Sequence, residues 1–252
     1  MYVDLKGKCA LVTGGGTGIG KAISLALGQC AASVVVNYNR SSKQAEETVD
    51  DIETSGGRAI ALQADVTDEH QVCELIDKVM ENCGRLDILV ANAGGPTESR
   101  PTAELTSEDW DRGIGLNCKA AFFCVKYALP YLPDGYGRII VTSTISARDG
   151  GAVGMLTYGA AKGALNNMVR NWAKELAPRG ITVNGIAPGI IWTRIHETMT
   201  PPGRYKKAID RIPLGRDGQP QDCVPPVLML ASPESGFITG QIIEVNGGMS
   251  MP

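Results

Sequence analysis

The feature that most constrains this chain is an alternation of short apolar runs with amphipathic stretches. Lys8 to Thr13 (KCALVT) is a strand by length and flanks, and a helical pattern follows from Gly18 to Cys30. Ser33 to Tyr38 (SVVVNY) is a valine-rich second strand. A charged helix from Ser41 to Ser55 stops at Gly56-Gly57. Arg58 to Ala64 is a third strand, Asp68 to Asn82 a third helix with Thr67 or Asp68 as its cap, and Leu86 to Ala91 a fourth strand. Such alternation needs a parallel sheet, because each strand returns through a helix that must cover a sheet face. One or two helices are expected within Leu105 to Leu132. Arg138 to Ser143, Ile181 to Ala187 and Gln241 to Val245 are strands five to seven. Tyr158 to Ala177 and a segment near Gln221 to Ala231 are helices, and a variable segment spans Ile190 to Gly218. No linker, low-complexity tract or larger repeat interrupts the pattern. The expectation is one α/β domain over residues 1–252, with a doubly wound seven-stranded parallel sheet covered by helices on both faces.

The turn after the first strand reads Thr13-Gly14-Gly15-Gly16-Thr17-Gly18-Ile19-Gly20. At a strand-to-helix junction the backbone N–H groups and the helix N-terminus make an anion site, and glycines let a pyrophosphate approach closely. The spacing is T-G-x-x-x-G-x-G rather than G-x-G-x-x-G. Farther on, Tyr158 and Lys162 are four residues apart with small residues between them. On a helix both share one face. A nearby ammonium favours the phenolate, so the pair can give and take a proton at an alcohol or carbonyl oxygen.

These motifs, with Asn92-Ala93-Gly94 after the fourth strand and Pro188-Gly189 after the sixth, keep an order that resembles the classical short-chain dehydrogenase/reductase family over nearly the whole chain. The resemblance implies a Rossmann fold and assigns roles. Gly14, Thr17, Gly18, Ile19 and Gly20 would hold the dinucleotide phosphates. Asp65 and Val66 would meet the adenine. Asn92, Ala93 and Gly94 would steady the sheet end and pass the adenosine ribose. Asn117 would help hold a water that links the lysine to solvent; asparagine is a poor helix former, which favours a specific role. Lys162 would lower the Tyr158 pKa and bind the nicotinamide ribose. Pro188, Gly189, the Ile191 backbone and the Thr193 hydroxyl would meet the nicotinamide amide. The serine that the family places after strand five is replaced: Thr144 stands at that position, fourteen residues before Tyr158, and is assigned to orient the substrate carbonyl. Ser143 falls on the other strand face by the period of two; Ser143 and Ser146 remain alternatives.

The end of the second strand reads Asn37-Tyr38-Asn39-Arg40-Ser41-Ser42 and carries no acid for a ribose 2′-OH. Arg40, with Asn39 and Ser41, suits a 2′-phosphate instead. NADP(H) is therefore the preferred cofactor. NAD(H) stays possible, since Thr17 stands where many NADP-dependent relatives have a basic residue.

The substrate wall is expected from Pro96, Ala152, Val153, Met155, Trp192, His196 and Met199. His70 is expected to be exposed, and Trp110 to pack. The chain is closest in character to 3-oxoacyl-carrier-protein reductases. Yet Leu129 to Gly137 has no basic residue to dock an acidic carrier, although Arg179 is present at the other basic position. A small ketone, diketone or secondary alcohol is preferred as substrate, with the acyl-carrier substrate as the alternative and a non-catalytic dinucleotide sensor as the rival. Phe122, Phe123, Val125, Met168 and Trp172 exceed one apolar stripe, and the resemblance implies a homotetramer.

Composition closes off other classes. The net charge is -3 with 20% charged residues, so nothing points to nucleic acid or an anionic membrane. No apolar run is long enough to span a bilayer, and the N-terminus does not read as a signal peptide. Seven cysteines without a Cys-x-x-Cys, and two histidines, make a zinc site unexpected and suggest reduced thiols of a cytoplasmic protein.

Overall fold

The structure is a computed structural model that describes residues 3–193 and 202–251, the side chains of 202–204 excepted. His196 and Met199, expected in the substrate wall, lie outside the described residues. The strands are β1 (Cys9–Val12), β2 (Ser33–Tyr38), β3 (Arg58–Gln63), β4 (Ile88–Ala91), β5 (Arg138–Thr142), β6 (Thr182–Pro188) and β7 (Ile242–Val245). They form one seven-stranded sheet in the order β3-β2-β1-β4-β5-β6-β7, every pair parallel. The helices used below are α1 (Gly18–Gln29), α2 (Ser42–Thr54), α3 (Glu69–Cys83), α4 (Ser107–Ile114), α5 (Ala120–Ala128), the single turn α6 (Ser146–Asp149) and α7 (Leu156–Leu176).

Strand alternation builds two cores. Cys9 and Leu11 of β1, Leu89 and Ala91 of β4, and Ile139 and Val141 of β5 face α3, α5 and α7. Their neighbours Ala10, Val12, Ile88, Val90 and Ile140 face α1, α2 and the helix Val224–Ala231. Each strand thus feeds both layers, which explains why the strands read as continuous apolar runs. Phe123, Val125 and Trp172 are consumed by the first of these cores; Phe122 is left 42% exposed. Trp110, expected to pack, is 44% exposed instead. It sits on the short α4, whose buried residues are Asp109 and Gly113.

The sheet order reverses between β1 and β4. At that point the strand ends splay apart and leave a crevice at their C-terminal edge, where ligands bind in such sheets. The glycine turn after β1 and the Asn92 segment after β4 both stand there. Asp68 caps α3, accepting from the His70 and Gln71 N–H groups. Between α4 and α5 the helix widens into a π turn, Gly115–Lys119, which the sequence pattern does not reveal. Among the described residues, no helix is long and apolar enough to cross a membrane, and no group of His, Cys, Asp and Glu converges as a metal site. All seven cysteines are free.

Candidate active site

The glycine turn is shaped by contact. A Cβ on Gly20 would lie 2.1 Å from the Gly14 carbonyl oxygen and 2.7 Å from Asn92 Nδ2, so only glycine lets α1 start this close to the turn. Gly14 takes φ of 61° and Gly18 of 52°. Thr17 is the N-cap of α1, but its side chain makes no capping hydrogen bond, and the first turn carries no acid. The N–H groups at the start of α1, around Gly18, Ile19 and Gly20, therefore have no side-chain cap among the described residues, the arrangement a pyrophosphate requires. Thr193 reaches the same place, its Cγ2 3.3 Å from where a Gly18 Cβ would be. The residues present fit a dinucleotide.

Around this turn the sheet ends are braced. Thr13 Oγ1 accepts from the Asn92 and Ala93 N–H groups at 3.0 Å each. Asn92 Nδ2 donates to Thr13 O at 3.0 Å, and its Oδ1 accepts from Thr142 Oγ1 at 3.1 Å. Asn92 thus joins β1, β4 and β5. Asp65 accepts from the Thr67 N–H and hydroxyl at 2.9 and 2.6 Å. Burial pushes its pKa up, but these bonds and one from Asn39 outweigh it and hold the carboxyl below its ordinary value. The Val66 side chain is spent in the core. Asn39 and Arg40 are exposed at the end of β2 beside the half-buried Ser41, and Arg40 makes no ion pair among the described residues.

The strand-six end is tied to its neighbours. Pro188 O accepts from the Ile145 N–H and the Gly189 N–H donates to Val245 O. Ile191 is buried and bridges to Gly218, so its side chain belongs to the core. Trp192, 38% exposed, meets Tyr205 edge-on with ring centroids 5.0 Å apart. Val153, at 86%, is among the most exposed apolar side chains.

The tyrosine and lysine lie one turn apart on α7. The Tyr158 phenol stands beside the Thr144 hydroxyl, which favours the phenolate, but burial outweighs this and pushes the phenol pKa up. The raised value corrects the expectation of a lowered one; the lysine is 3% exposed and its Nζ donates to Thr142 O at 2.6 Å. Burial brings the Lys162 pKa down to about 8, against a small opposing effect of Cys118. Ser143, the alternative hydroxyl, donates to Asn166 Oδ1 at 2.6 Å inside the protein. Thr144 accepts from the Ser146 N–H at 3.3 Å and stands beside the phenol.

Asn117 sits in the π turn. Its Nδ2 donates to Gly95 O at 2.9 Å and Gly113 O at 3.0 Å, and its Oδ1 accepts from the Gly95 N–H at 2.8 Å. Both amide hydrogens are spent on backbone, so a water here would have to use an oxygen lone pair. Gly94 lies against Asn117 Oδ1 and Lys162 Nζ. Thus Asn117, Thr144, Tyr158, Lys162 and Gly94 converge on one side of the crevice and the glycine turn on the other. Sequence reasoning missed Glu98, Thr157 and Asn166, all buried polar residues behind this constellation. The signal for Thr157 was its place directly before Tyr158; nothing in the sequence ties Glu98 to it.

A family profile described as enoyl-(acyl carrier protein) reductase matches residues 14–250. A hydroxynaphthalene reductase-like protein, Arp2, of Metarhizium brunneum (strain ARSEF 3297) is 41% identical over 258 residues, covering 97% of this chain and 96% of that protein. The 3-oxoacyl-[acyl-carrier-protein] reductase FabG of Thermotoga maritima is 37% identical over 246 residues, 97% of this chain and 98% of its own. The structure of a 7α-hydroxysteroid dehydrogenase complexed with NADH and 7-oxo glycochenodeoxycholic acid superposes with a TM-score of 0.93 at 36% identity, covering 98% of this chain and 96% of that one. With the crevice, the uncapped α1 terminus and these likenesses together, the chain belongs to the classical short-chain dehydrogenase/reductase family and is a nicotinamide-dinucleotide-dependent oxidoreductase of carbonyl and alcohol groups.

Proposed function

We propose that the protein is an NADP(H)-preferring reductase that interconverts a small ketone or diketone and its secondary alcohol, with Tyr158 as proton donor and acceptor. The observation that carries this reading is the Tyr158 phenol standing beside the Thr144 hydroxyl, one helical turn from the buried Lys162. A carbonyl oxygen lying between the two hydroxyls accepts from both, which polarises the carbon. When bound, the nicotinamide supplies the hydride in reduction and takes it up in oxidation. Because the Tyr158 pKa is raised, the phenol stays protonated at neutral pH and serves as the acid of the reductive direction. The Lys162 ammonium, fixed by Thr142 O, stabilises the phenolate left behind. Asn117 fixes the Gly95 backbone, next to the Gly94 that lies against this lysine.

Arg40 supports the cofactor preference: an exposed guanidinium beside Asn39 and Ser41, without an ion pair among the described residues, is suited to a 2′-phosphate. NAD(H) remains usable. Arg179 argues against an acyl-carrier substrate, because it is committed to Asp134 at 2.7 Å and to the Leu129 and Leu132 carbonyls. A homotetramer is supported by the exposed Phe122 on α5 and by the family resemblance.

The test is nicotinamide absorbance decay with NADPH and NADH over ketones, diketones, β-ketoacyl thioesters and quinones. Faster turnover of a small ketone with NADPH is expected. Preference for NADH overturns the Arg40 reading. Bound dinucleotide without turnover in either direction overturns the enzyme reading in favour of a sensor.

A further inference from the structure

We propose that Glu98 is a positioning residue for the tyrosine centre, its buried carboxylate anchoring the first turn of α7 through Thr157. The inference rests on the reading of Tyr158 as the proton donor.

Glu98 is 7% exposed, on the segment that follows β4. A carboxylate so enclosed is costly unless it is paired and hydrogen-bonded. One oxygen accepts from the Thr157 hydroxyl and the other from the Thr97 hydroxyl. Arg112 Nη2 lies 4.0 Å from it and also binds Asp109 at 2.5 Å, and Arg100 reaches Asp109 at 3.3 Å. The segment is pinned again where the Arg100 N–H donates to Gly154 O at 3.0 Å.

Three observations give this cluster a purpose at the active site. First, α7 has 21 residues, yet its N-cap Met155 makes no side-chain capping bond and its first turn holds no acid. Glu98 instead ties this uncapped first turn to another segment, through the Thr157 hydroxyl. Second, Thr157 is 0% exposed and directly precedes Tyr158, so whatever fixes Thr157 fixes the backbone from which the phenol projects. Third, a Cβ on Gly113 would lie 2.7 Å from Thr157, and the Gly113 carbonyl accepts from Asn117 Nδ2. Glu98 and Thr157 therefore buttress both Tyr158 and Asn117.

The experiment compares Glu98→Ala, Glu98→Gln, Thr157→Val and the Glu98→Ala/Thr157→Val double variant in the full chain. It measures kcat and KM with NADPH and the best ketone, NADPH Kd by fluorescence, and Tm. Glu98→Ala is expected to lower kcat about 10- to 100-fold, the scale of a small misplacement of a reacting group. NADPH Kd should stay within about twofold, because the anion site does not touch this cluster. Glu98→Gln recovers most of kcat, since its amide oxygen still accepts from Thr157. Thr157→Val repeats the Glu98→Ala loss, and the double variant loses no more than either single one, as coupled residues do. Folded Glu98→Ala and Thr157→Val with wild-type kcat, or single losses that add, overturn the inference. Should Glu98→Ala not fold, Glu98→Gln and Thr157→Val decide: wild-type kcat in Thr157→Val overturns the inference, and a loss there with recovery in Gln supports it. Failure of the underlying reading looks different: the wild type does not turn over any carbonyl, or Tyr158→Phe keeps full rate.

Discussion

Ser143 and Asn166 are joined by a buried hydrogen bond of 2.6 Å, hydroxyl to amide oxygen. The bond decides between two neighbouring hydroxyls at the end of β5. Ser143 is turned into the protein toward α7, and Thr144 is left beside Tyr158. Thr144→Val should lower kcat by about 100-fold or more, in the range of a lost polarising donor. Ser143→Ala should keep kcat within about threefold and cost roughly 1–3 kcal/mol of stability, because the Asn166 oxygen loses its donor. Steady-state kinetics and denaturant melts of the two variants separate these outcomes; the reverse pattern would transfer the role to Ser143.

Arg40 gives the cofactor prediction. A charge-assisted bond to phosphate contributes about 1.5–3 kcal/mol, so Arg40→Ala should weaken NADPH roughly 10- to 100-fold and leave NADH nearly unchanged. Titration of both dinucleotides into wild type and variant is the measurement. Equal weakening of both would show that Arg40 does not read the 2′ position.

Much of this was legible beforehand because the relevant physics is local. The run Ser33 to Tyr38 is a strand to the residue, since valines bounded by turn formers allow little else. The glycine turn and the Tyr158–Lys162 spacing were legible for the same reason. The π turn at Asn117 was not, because its apolar pattern is that of an α-helix and only the backbone shows the extra residue per turn. Nor was the partner of Ser143, which comes from a helix 23 residues farther on. Glu98 reads as one acid among many in a polar loop until the fold brings Thr157 to it. The Tyr158 pKa failed for a different reason. Spacing reports that a lysine is near, but burial is what acts most on the phenol, and the ammonium is turned to Thr142 O.

Lys162 makes stability depend on pH in a definite direction. Its folded pKa, lowered by burial to about 8, lies below the value near 10.4 of an unfolded lysine. Between these values the unfolded chain binds the extra proton, so stability rises with pH. The penalty is full below about pH 8 and gone above about 10.4, and is on the order of 3 kcal/mol. Lys162→Met should therefore be favoured relative to wild type at pH 7 by more than at pH 10, while losing activity. Urea melts at the two pH values test this, and a stability difference that does not change with pH would contradict it. Reductive turnover of the wild type should decline as pH rises through about 8, where the ammonium is lost.

Cys83 should react ahead of the four thiols whose pKa burial raises. The neighbouring Cys9 thiol holds the Cys83 pKa down, whereas burial pushes Cys30, Cys118, Cys124 and Cys223 up. Thiolates, not thiols, alkylate. Brief iodoacetamide treatment at pH 7.5 followed by peptide mass mapping should find Cys83 labelled ahead of those four, and labelling led by Cys118 would count against the assignment.

Two glycines near the π turn should respond in opposite ways. A Cβ on Gly94 would stand 2.8 Å from Asn117 Oδ1 and 3.0 Å from Lys162 Nζ. Neither can retreat without breaking a bond, to Gly95 for the asparagine or to Thr142 O for the lysine. Gly94→Ala should lower kcat more than tenfold and destabilise by roughly 1–3 kcal/mol, the usual cost of overpacking. Gly115, in the π turn itself, has helical backbone angles and open space where its Cβ would go. Gly115→Ala should raise stability by about 0.5–1 kcal/mol, because alanine gives up less backbone freedom on folding. Thermal melts and kcat for the two variants provide the comparison, and a harmless Gly94→Ala would mean that Asn117 and Lys162 yield more readily than these distances indicate.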